Sequence, residues 1–553
     1  MQKFEQLKQF VDEMAAEHKT AVSNKNTGSL RKIKIGARVR APKLEEDNKV
    51  LAKAYKSTNE EVKAKGNIIP AAEWLLDNYY ILEEQFKEIQ YTVKNEFYME
   101  LPVLTEGKFS GYPRVYGAAA GMAEYFDGLI DEETLISFLE TYQQQIHLTS
   151  KELWVFPVML RICLLERIKD IAIYISDTIQ LRKQAEQWAV KLLQSMTATK
   201  EESGLKDEFR KAIQQHEDQI GIMKPAYAER LLHRLREEGG DAAPIIRWVD
   251  GKLALYHSSA EEIVHEEHQK QACYQSSMGN AITSLRLITS LKWEEIYEQL
   301  SLLNHILNQD PAGIYSLMDF SSRESYRKKA EALAERYGLD EMQVAVKALE
   351  CARENRNNSQ EKFSHVGYYI VDDGLEQMVD KLCGRKRKIR SKSISSLLYF
   401  GFIGIFTLGG WFLFLAGIHT SSEVIGYGEM LLSAVISFLP VWSIAIGIVN
   451  WAVTRIYKPF HIPKLELKEG IPEKYRTMVV IPTLLTDVKR VMELVEQMEV
   501  FYLANQEENV HFALVGDYKD GPEEHTESDA KIVEMGIRLI EELNQRYGRK
   551  DIF

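Results

Sequence analysis

Two charge-free runs late in the chain restrict its architecture more than any other feature. Ile394 to Ile418 (ISSLLYFGFIGIFTLGGWFLFLAGI) holds 25 residues without a charged side chain, and Met430 to Val453 (MLLSAVISFLPVWSIAIGIVNWAV) is a second such run. As a helix the first would measure roughly 37 Å at about 1.5 Å per residue. That length crosses a hydrocarbon core of about 30 Å with some tilt. Helices in a soluble core rarely stay uncharged for so long, so two membrane spans are expected. Pro440 would kink the second, which neighbouring helices tolerate.

The flanks give an orientation. Arg385, Lys386, Arg387, Lys388, Arg390 and Lys392 precede the first run, and Arg455, Lys458, Lys464 and Lys468 follow the second. The loop from His419 to Glu429 has neither Lys nor Arg. The positive-inside rule then predicts a hairpin with both long flanks, and so both termini, in the cytoplasm. The N-terminus (MQKFEQLKQFVDEM) is charged and amphipathic, without the apolar core of a signal peptide. Apart from Arg385 to Lys392 and a second basic stretch, Arg31 to Lys43, the chain is acidic. Its net charge of -12 argues against a general nucleic-acid binder. Cys163, Cys273, Cys351 and Cys383 form no CxxC pair and indicate neither a zinc site nor a disulfide framework.

Residues 1 to about 390 read as an α-helical domain. Leu135, Leu139, Tyr142 and Ile146 recur at helical spacing behind an acidic turn that starts at Asp131. Thr149 and Glu152 have the capping-box spacing at the head of the next helix. EEIVHEEHQKQACYQ and MQVAVKALECARENR continue the pattern, and strand-like alternation is scarce. His257, His265 and His268, with Glu266 and Glu267, could suggest a metal. However, HEEH has two residues between its histidines and is not the zinc helix HExxH, so an exposed charged helix face is the expected reading. GYPRVYG (Gly111 to Gly117) could form an aromatic platform for a sugar, although packing around a loop is the simpler expectation.

Beyond a Pro-containing linker, residues 454–475, the pattern changes. Met478 to Leu485 (MVVIPTLL) and His511 to Tyr518 (HFALVGDY) read as strands buried on both faces of a parallel sheet. Thr486 is expected to cap a helix carrying Val491, Leu494, Val495, Met498 and Phe501 inward, and another helix spans Ser528 to Tyr547. This βαβα order predicts a doubly wound α/β domain over residues 476–553, with ligands at the carboxyl ends of the strands. Pro482, Thr483 and Asp517 lie at such ends. No glycine-rich phosphate loop accompanies them, which argues against a dinucleotide site or a P-loop. The whole chain is therefore expected to be mainly α, with a helical domain, a two-helix transmembrane hairpin and an α/β piece.

VVIPTLLT (Val479 to Thr486) followed by HFALVGD (His511 to Asp517) resembles the opening of the glucosyltransferase domain of cyclic β-1,2-glucan synthases. Upstream, LPVLTEGKFSGYPRVYG (Leu101 to Gly117), LTSKELWVFPVMLRI (Leu148 to Ile162), GNAITSLRLI (Gly279 to Ile288), DPAGIYSLMDF (Asp310 to Phe320) and HVGYYIVDDG (His365 to Gly374) resemble that family's N-terminal segments in the same order. The resemblance implies a bacterial inner-membrane, multi-pass enzyme of the GT-A type that polymerises glucose from UDP-glucose on the cytoplasmic side. By position it assigns Pro482, Thr483 and Asp517 to the nucleotide sugar. The partners it implies are the bilayer, the nucleotide sugar, the β-glucan and the remainder of the synthase, without nucleic acid. The family's catalytic carboxylates, and the acidic pair for a divalent metal (Mg or Mn), come later than the second βα unit. No catalytic residue, metal ligand or cofactor is therefore assigned within this chain, and an inactive truncated piece is expected. The alternative is a non-catalytic membrane scaffold or regulatory subunit of a separate synthase. A helical sensor ranks below both.

Overall fold

A computed structural model describes residues 2–23, 40–65, 69–92, 101–197, 202–255, 259–356, 360–384, 396–421, 426–456, 462–520, 527–549 and 551–553. The basic run 385–392, the greater part of 31–43, His257, Lys458 and residues 422–425 of the loop between the two apolar runs lie outside them. The chain divides into two compact units. One comprises Met1–Ala312 and Tyr326–Arg387, the other Gly313–Ser325 and Lys388–Phe553.

The described residues of the first unit form helices joined by turns and loops, with an isolated bridge between Val103 and Pro113. Its longest element, Ser150–Thr197, has 48 residues, roughly 72 Å at about 1.5 Å per residue. The capping-box expectation at its head is met. Thr149 donates its N–H to Glu152 Oε2 (3.0 Å), and the Glu152 N–H reaches Thr149 Oγ1 (3.3 Å). Glu132–Gln145 starts at Asp131, whose side chain accepts from the Thr134 N–H. Leu135, Leu139 and Tyr142 are buried as the spacing requires, and Ile146, buried as well, ends the helix in extended conformation. A separate apolar core lies toward the far end of the long helix. There Trp188, Ala189 and Leu192 pack against Tyr227, Leu231 and Leu235 of Pro225–Glu237 and against Ile245 and Val249 of Ala243–Ala254.

The second unit carries two apolar helices, Ser396–Ser421 and Tyr427–Ile456. Both are long and apolar enough to cross a membrane. Only 11% and 17% of their most apolar stretches are buried, whereas a helix in a soluble core would be mostly covered. They pack on each other through a narrow seam. Trp411 donates its indole N–H to Ala434 O (2.9 Å), and Tyr399 Oη meets Asn450 Oδ1 (2.7 Å). Thr407, Ser437, Ala445 and Val449 are buried there, small or branched residues of the kind that let apolar helices approach closely. Pro440 lies inside its helix, as expected.

The α/β portion contains two parallel strands, β1 (Thr477–Leu485) and β2 (Val510–Tyr518). The helix Val488–Ala504 joins them, and Glu527–Arg546 follows β2. Three expectations are corrected here. Neither strand is buried on both faces. In β1, Ile481, Thr483 and Leu485 are half-buried while Met478, Val479, Val480, Pro482 and Leu484 are exposed, because among the described residues both helices cover one face alone. Asp487, not Thr486, is the N-cap and accepts from the Arg490 N–H (2.9 Å). A carboxylate serves this role well because it also meets the positive helix end. Phe501 points outward (39% exposed), whereas Val491, Leu494, Val495 and Met498 are buried as expected. Earlier in this unit, the stretch Gly313–Ser325 pairs with residues beyond the hairpin. Met318 forms an antiparallel bridge with Leu465, and Asp319 and Glu466 donate backbone N–H groups to Lys464 O and Leu317 O.

Candidate functional site

In-register pairing fixes the carboxyl ends of the two strands. Pro482 stands opposite Val515, Thr483 opposite Gly516, and Leu484 opposite Asp517. Residues paired across parallel strands share a face, and successive residues alternate. Pro482, Leu484, Val515 and Asp517 therefore lie on the open face. Thr483 and Gly516 lie on the face covered by helices. Of the three residues singled out in the sequence, Pro482 and Asp517 share a surface and Thr483 faces the other way. A proline is tolerated in β1 because the strand has a ladder partner on one side only among the described residues. Gly516 marks a close approach, since a Cβ there would overlap the Leu485 side chain.

Two carboxylates stand at these strand ends, and they differ in what they can do. Asp487 accepts the N–H of Arg490 and a hydrogen bond from Thr486 Oγ1 (3.1 Å). The backbone hydrogen bond, then the one from Thr486, hold its carboxyl below the ordinary range. The amide end of this helix is thus filled by its own anion and is a poor cradle for a phosphate. Asp517 is exposed and accepts the N–H of Tyr518 (2.9 Å). An ionised carboxylate is an acceptor only, so this end of the sheet suits a partner presenting hydroxyl or N–H donors. Among the described residues there is no group of three or more His, Cys, Asp or Glu that could hold a metal ion.

Of the histidine cluster, His257 lies outside the described residues. His265 and His268 are exposed, and His265 Nε2 meets the Gln269 amide. Glu267 departs from the expected exposed face. It is buried, accepting from Tyr174 Oη (2.9 Å) and from Gln271. GYPRVYG behaves as packing. Tyr112 stacks on Tyr116 at 4.7 Å, and the buried Tyr116 donates to Glu166 (2.6 Å).

Folding joins motifs that the sequence holds apart. Arg114, at the end of the first motif, is buried and makes a two-pronged ion pair with Glu152 (Nε to Oε1 2.9 Å, Nη2 to Oε2 2.5 Å). Burial pulls the Arg114 guanidinium down, but the charge and hydrogen bond of Glu152 outweigh it and leave it above its ordinary value. Asp310, fully enclosed, accepts from the Val366 N–H (2.9 Å) and meets His365 Nδ1 at 2.7 Å. Sequence reasoning missed both pairs. Spacings of 38 and 55 residues carry no local signal.

No family model matches the chain. It is 29% identical over 515 residues to the cyclic β-(1,2)-glucan synthase NdvB of Rhizobium meliloti (strain 1021), a match covering 91% of this chain. The two are distant homologues. The chain spans 18% of the length of that synthase. The residues outside the match are too few to hold all of 477–553, so the match extends into the β1–β2 region.

Proposed function

We propose that this chain forms the N-terminal, membrane-anchored portion of a cyclic β-1,2-glucan synthase. The homology over 91% of the chain carries this reading, and the two lipid-compatible helices agree with it. In this reading the hairpin crosses the bacterial inner membrane twice. The helical unit and the β1–β2 unit both lie in the cytoplasm, where the nucleotide sugar is found.

The β1–β2 unit opens a GT-A-like domain whose donor is UDP-glucose. Asp517 accepts hydrogen bonds from the ribose hydroxyls or the uracil N–H at the carboxyl end of β2. Pro482 lines the same face, and Thr483 shapes the strand end from behind. The chain's own chemistry at this point is recognition: a fixed carboxylate orients the nucleoside and leaves the diphosphate to groups elsewhere. Photolabelling membranes with a 5-azido analogue of UDP-glucose tests this. Labelling should be competed by UDP and fall at least tenfold in Asp517→Asn, with ADP ineffective. Equal labelling of parent and variant would refute the assignment.

A further inference from the structure

Residues on either side of the two apolar helices are fastened to each other, a feature that does not depend on the reading above. The strap Gly313–Ser325 precedes the helices and residues 463–466 follow them, and both stretches belong to the second unit. Both halves of the Lys464 backbone are held. Its N–H donates to Ser322 Oγ (2.8 Å), and its C=O accepts from the Asp319 N–H (3.0 Å). Two residues on, the Glu466 N–H donates to Leu317 O (2.7 Å). Leu465 stands between them, opposite Met318 in the antiparallel bridge. Ser322 is fully buried and Met318 almost so.

Neither stretch has slack. Asp319 also accepts the Ser322 N–H through its carboxylate (3.0 Å), at the head of the helix Phe320–Tyr337. That helix continues from Tyr326 in the helical unit. After the ribbon the chain turns at Gly470, whose φ of +86° suits glycine and whose N–H donates to Leu467 O (3.1 Å). Ile471 then donates its N–H to Glu507 (3.3 Å) and accepts from Asn509 Nδ2 (2.8 Å), ahead of β2. The Thr477 N–H, at the start of β1, donates to Asn509 O (2.9 Å). The linker is thus pinned at 464–466 by the strap and at 471–477 by the approach to β2, with a single turn between.

We propose that strap and linker form a clasp tying the start of β1 to the helix Phe320–Tyr337. A segment ahead of the membrane helices thereby steadies the strand pair behind them. Opening the clasp loosens the amino ends of β1 and β2 and leaves the fold of the helical unit intact. The clasp also fixes sides. Segments that share three hydrogen bonds cannot lie across a hydrocarbon core of about 30 Å from each other. Both flanks of the hairpin therefore occupy one side of the bilayer.

Two measurements on the whole chain test the clasp. Residues opposed across antiparallel strands have Cα atoms about 4.5–5.5 Å apart, within the span of about 4.4–6.8 Å that a disulfide bridges. Met318→Cys combined with Leu465→Cys should therefore cross-link on mild oxidation in native membranes, and neither single variant should. With a protease site placed between the apolar helices, the cut halves then stay together until reduced. Ser322→Ala removes the acceptor of the Lys464 N–H. In nanodiscs, amide exchange should quicken roughly tenfold at 464 and 465 and roughly threefold along β1, and the oxidised cysteine pair should restore both. Glu466→Pro removes the donor to Leu317 O, leaves Ser322 in place, and decides the matter if Ser322→Ala fails to fold. The proposal is overturned if the pair does not cross-link, if neither variant quickens exchange at 464 and 465, or if β1 exchange is unchanged when they open.

Discussion

The helical unit and the second unit handle apolar and polar surface in opposite ways. In the helical unit large side chains are enclosed and buried charges meet designated partners: Arg114 with Glu152, Asp310 with His365, Glu267 with Tyr174. In the second unit apolar surface is displayed. Phe412, Leu413, Leu431 and Leu439 of the hairpin are each 71–72% exposed. On β1, Met478, Val480 and Leu484 face outward without helical cover. Both displays are uncharged, yet they differ in form. The hairpin is apolar all round, as a helix in lipid must be. β1 is open on one face and covered on the other, as a sheet is when a second layer is due. Exposed surface thus records which environment each element is built for, and the helical unit is built for water.

Breaking the buried ion pair should separate the two regions most sharply. Glu152→Ala strands Arg114 and removes the Glu152 half of the capping box on the long helix. It should cost about 3–5 kcal/mol in urea unfolding of the helical unit, while the chain still fractionates with membranes.

Titration sharpens the same contrast. Burial raises Glu341 to about 7, against which hydrogen bonds from Ser150 work only in part. A folded-state value above the unfolded 4.5 means that the folded state binds more protons between pH 4.5 and 7. Stability is therefore lost as pH rises through that window. Glu341→Gln should remove the loss, gaining up to about 3 kcal/mol at pH 8 and almost nothing at pH 4.5. His18 has the opposite sign: burial, then the Arg114 charge, lower it to about 4. The unfolded chain binds more protons between pH 4 and 6.5, so the folded state weakens as pH falls through that range. Thermal melts of His18→Gln and the parent at pH 7 and pH 5 should show the parent losing more on acidification.

Smaller effects are expected in the α/β portion. Gly516→Ala drives a Cβ into Leu485 and should cost about 1–3 kcal/mol, seen as faster amide exchange in β1 and β2 only. Asp487→Ala removes the helix cap for about 1 kcal/mol. Neither change should alter exchange in the helical unit.

Local physics made much of this fold legible. The two apolar helices follow from length and absence of charge, the capping box at Thr149 from spacing, and the inward face of Val491 to Met498 from period. Where the sequence misled, a longer-range fact decided. Thr486 lost the cap to its neighbour because the chain enters the helix one residue later. Phe501 is turned outward at the end of a face that the sheet does not cover. The apolar run in β1 suggested two covered faces, and a run cannot say whether a second layer is present. Arg114–Glu152 and Asp310–His365 were invisible, because tertiary contacts alone create them. Of the strand-end residues, the alternation that separates Thr483 from Pro482 was legible, but the pairing that puts Pro482 beside Asp517 was not.

The claim that lipid covers the hairpin, with the helical unit on the cytoplasmic side, has a direct test. Cys273 is exposed on the helical unit, and Tyr427, at the turn between the two apolar helices, is 96% exposed. In intact spheroplasts expressing Tyr427→Cys, a membrane-impermeant maleimide should label the introduced thiol at once and Cys273 only after permeabilisation. Labelling of Cys273 in intact spheroplasts, or recovery of the chain in the soluble fraction, would contradict the account.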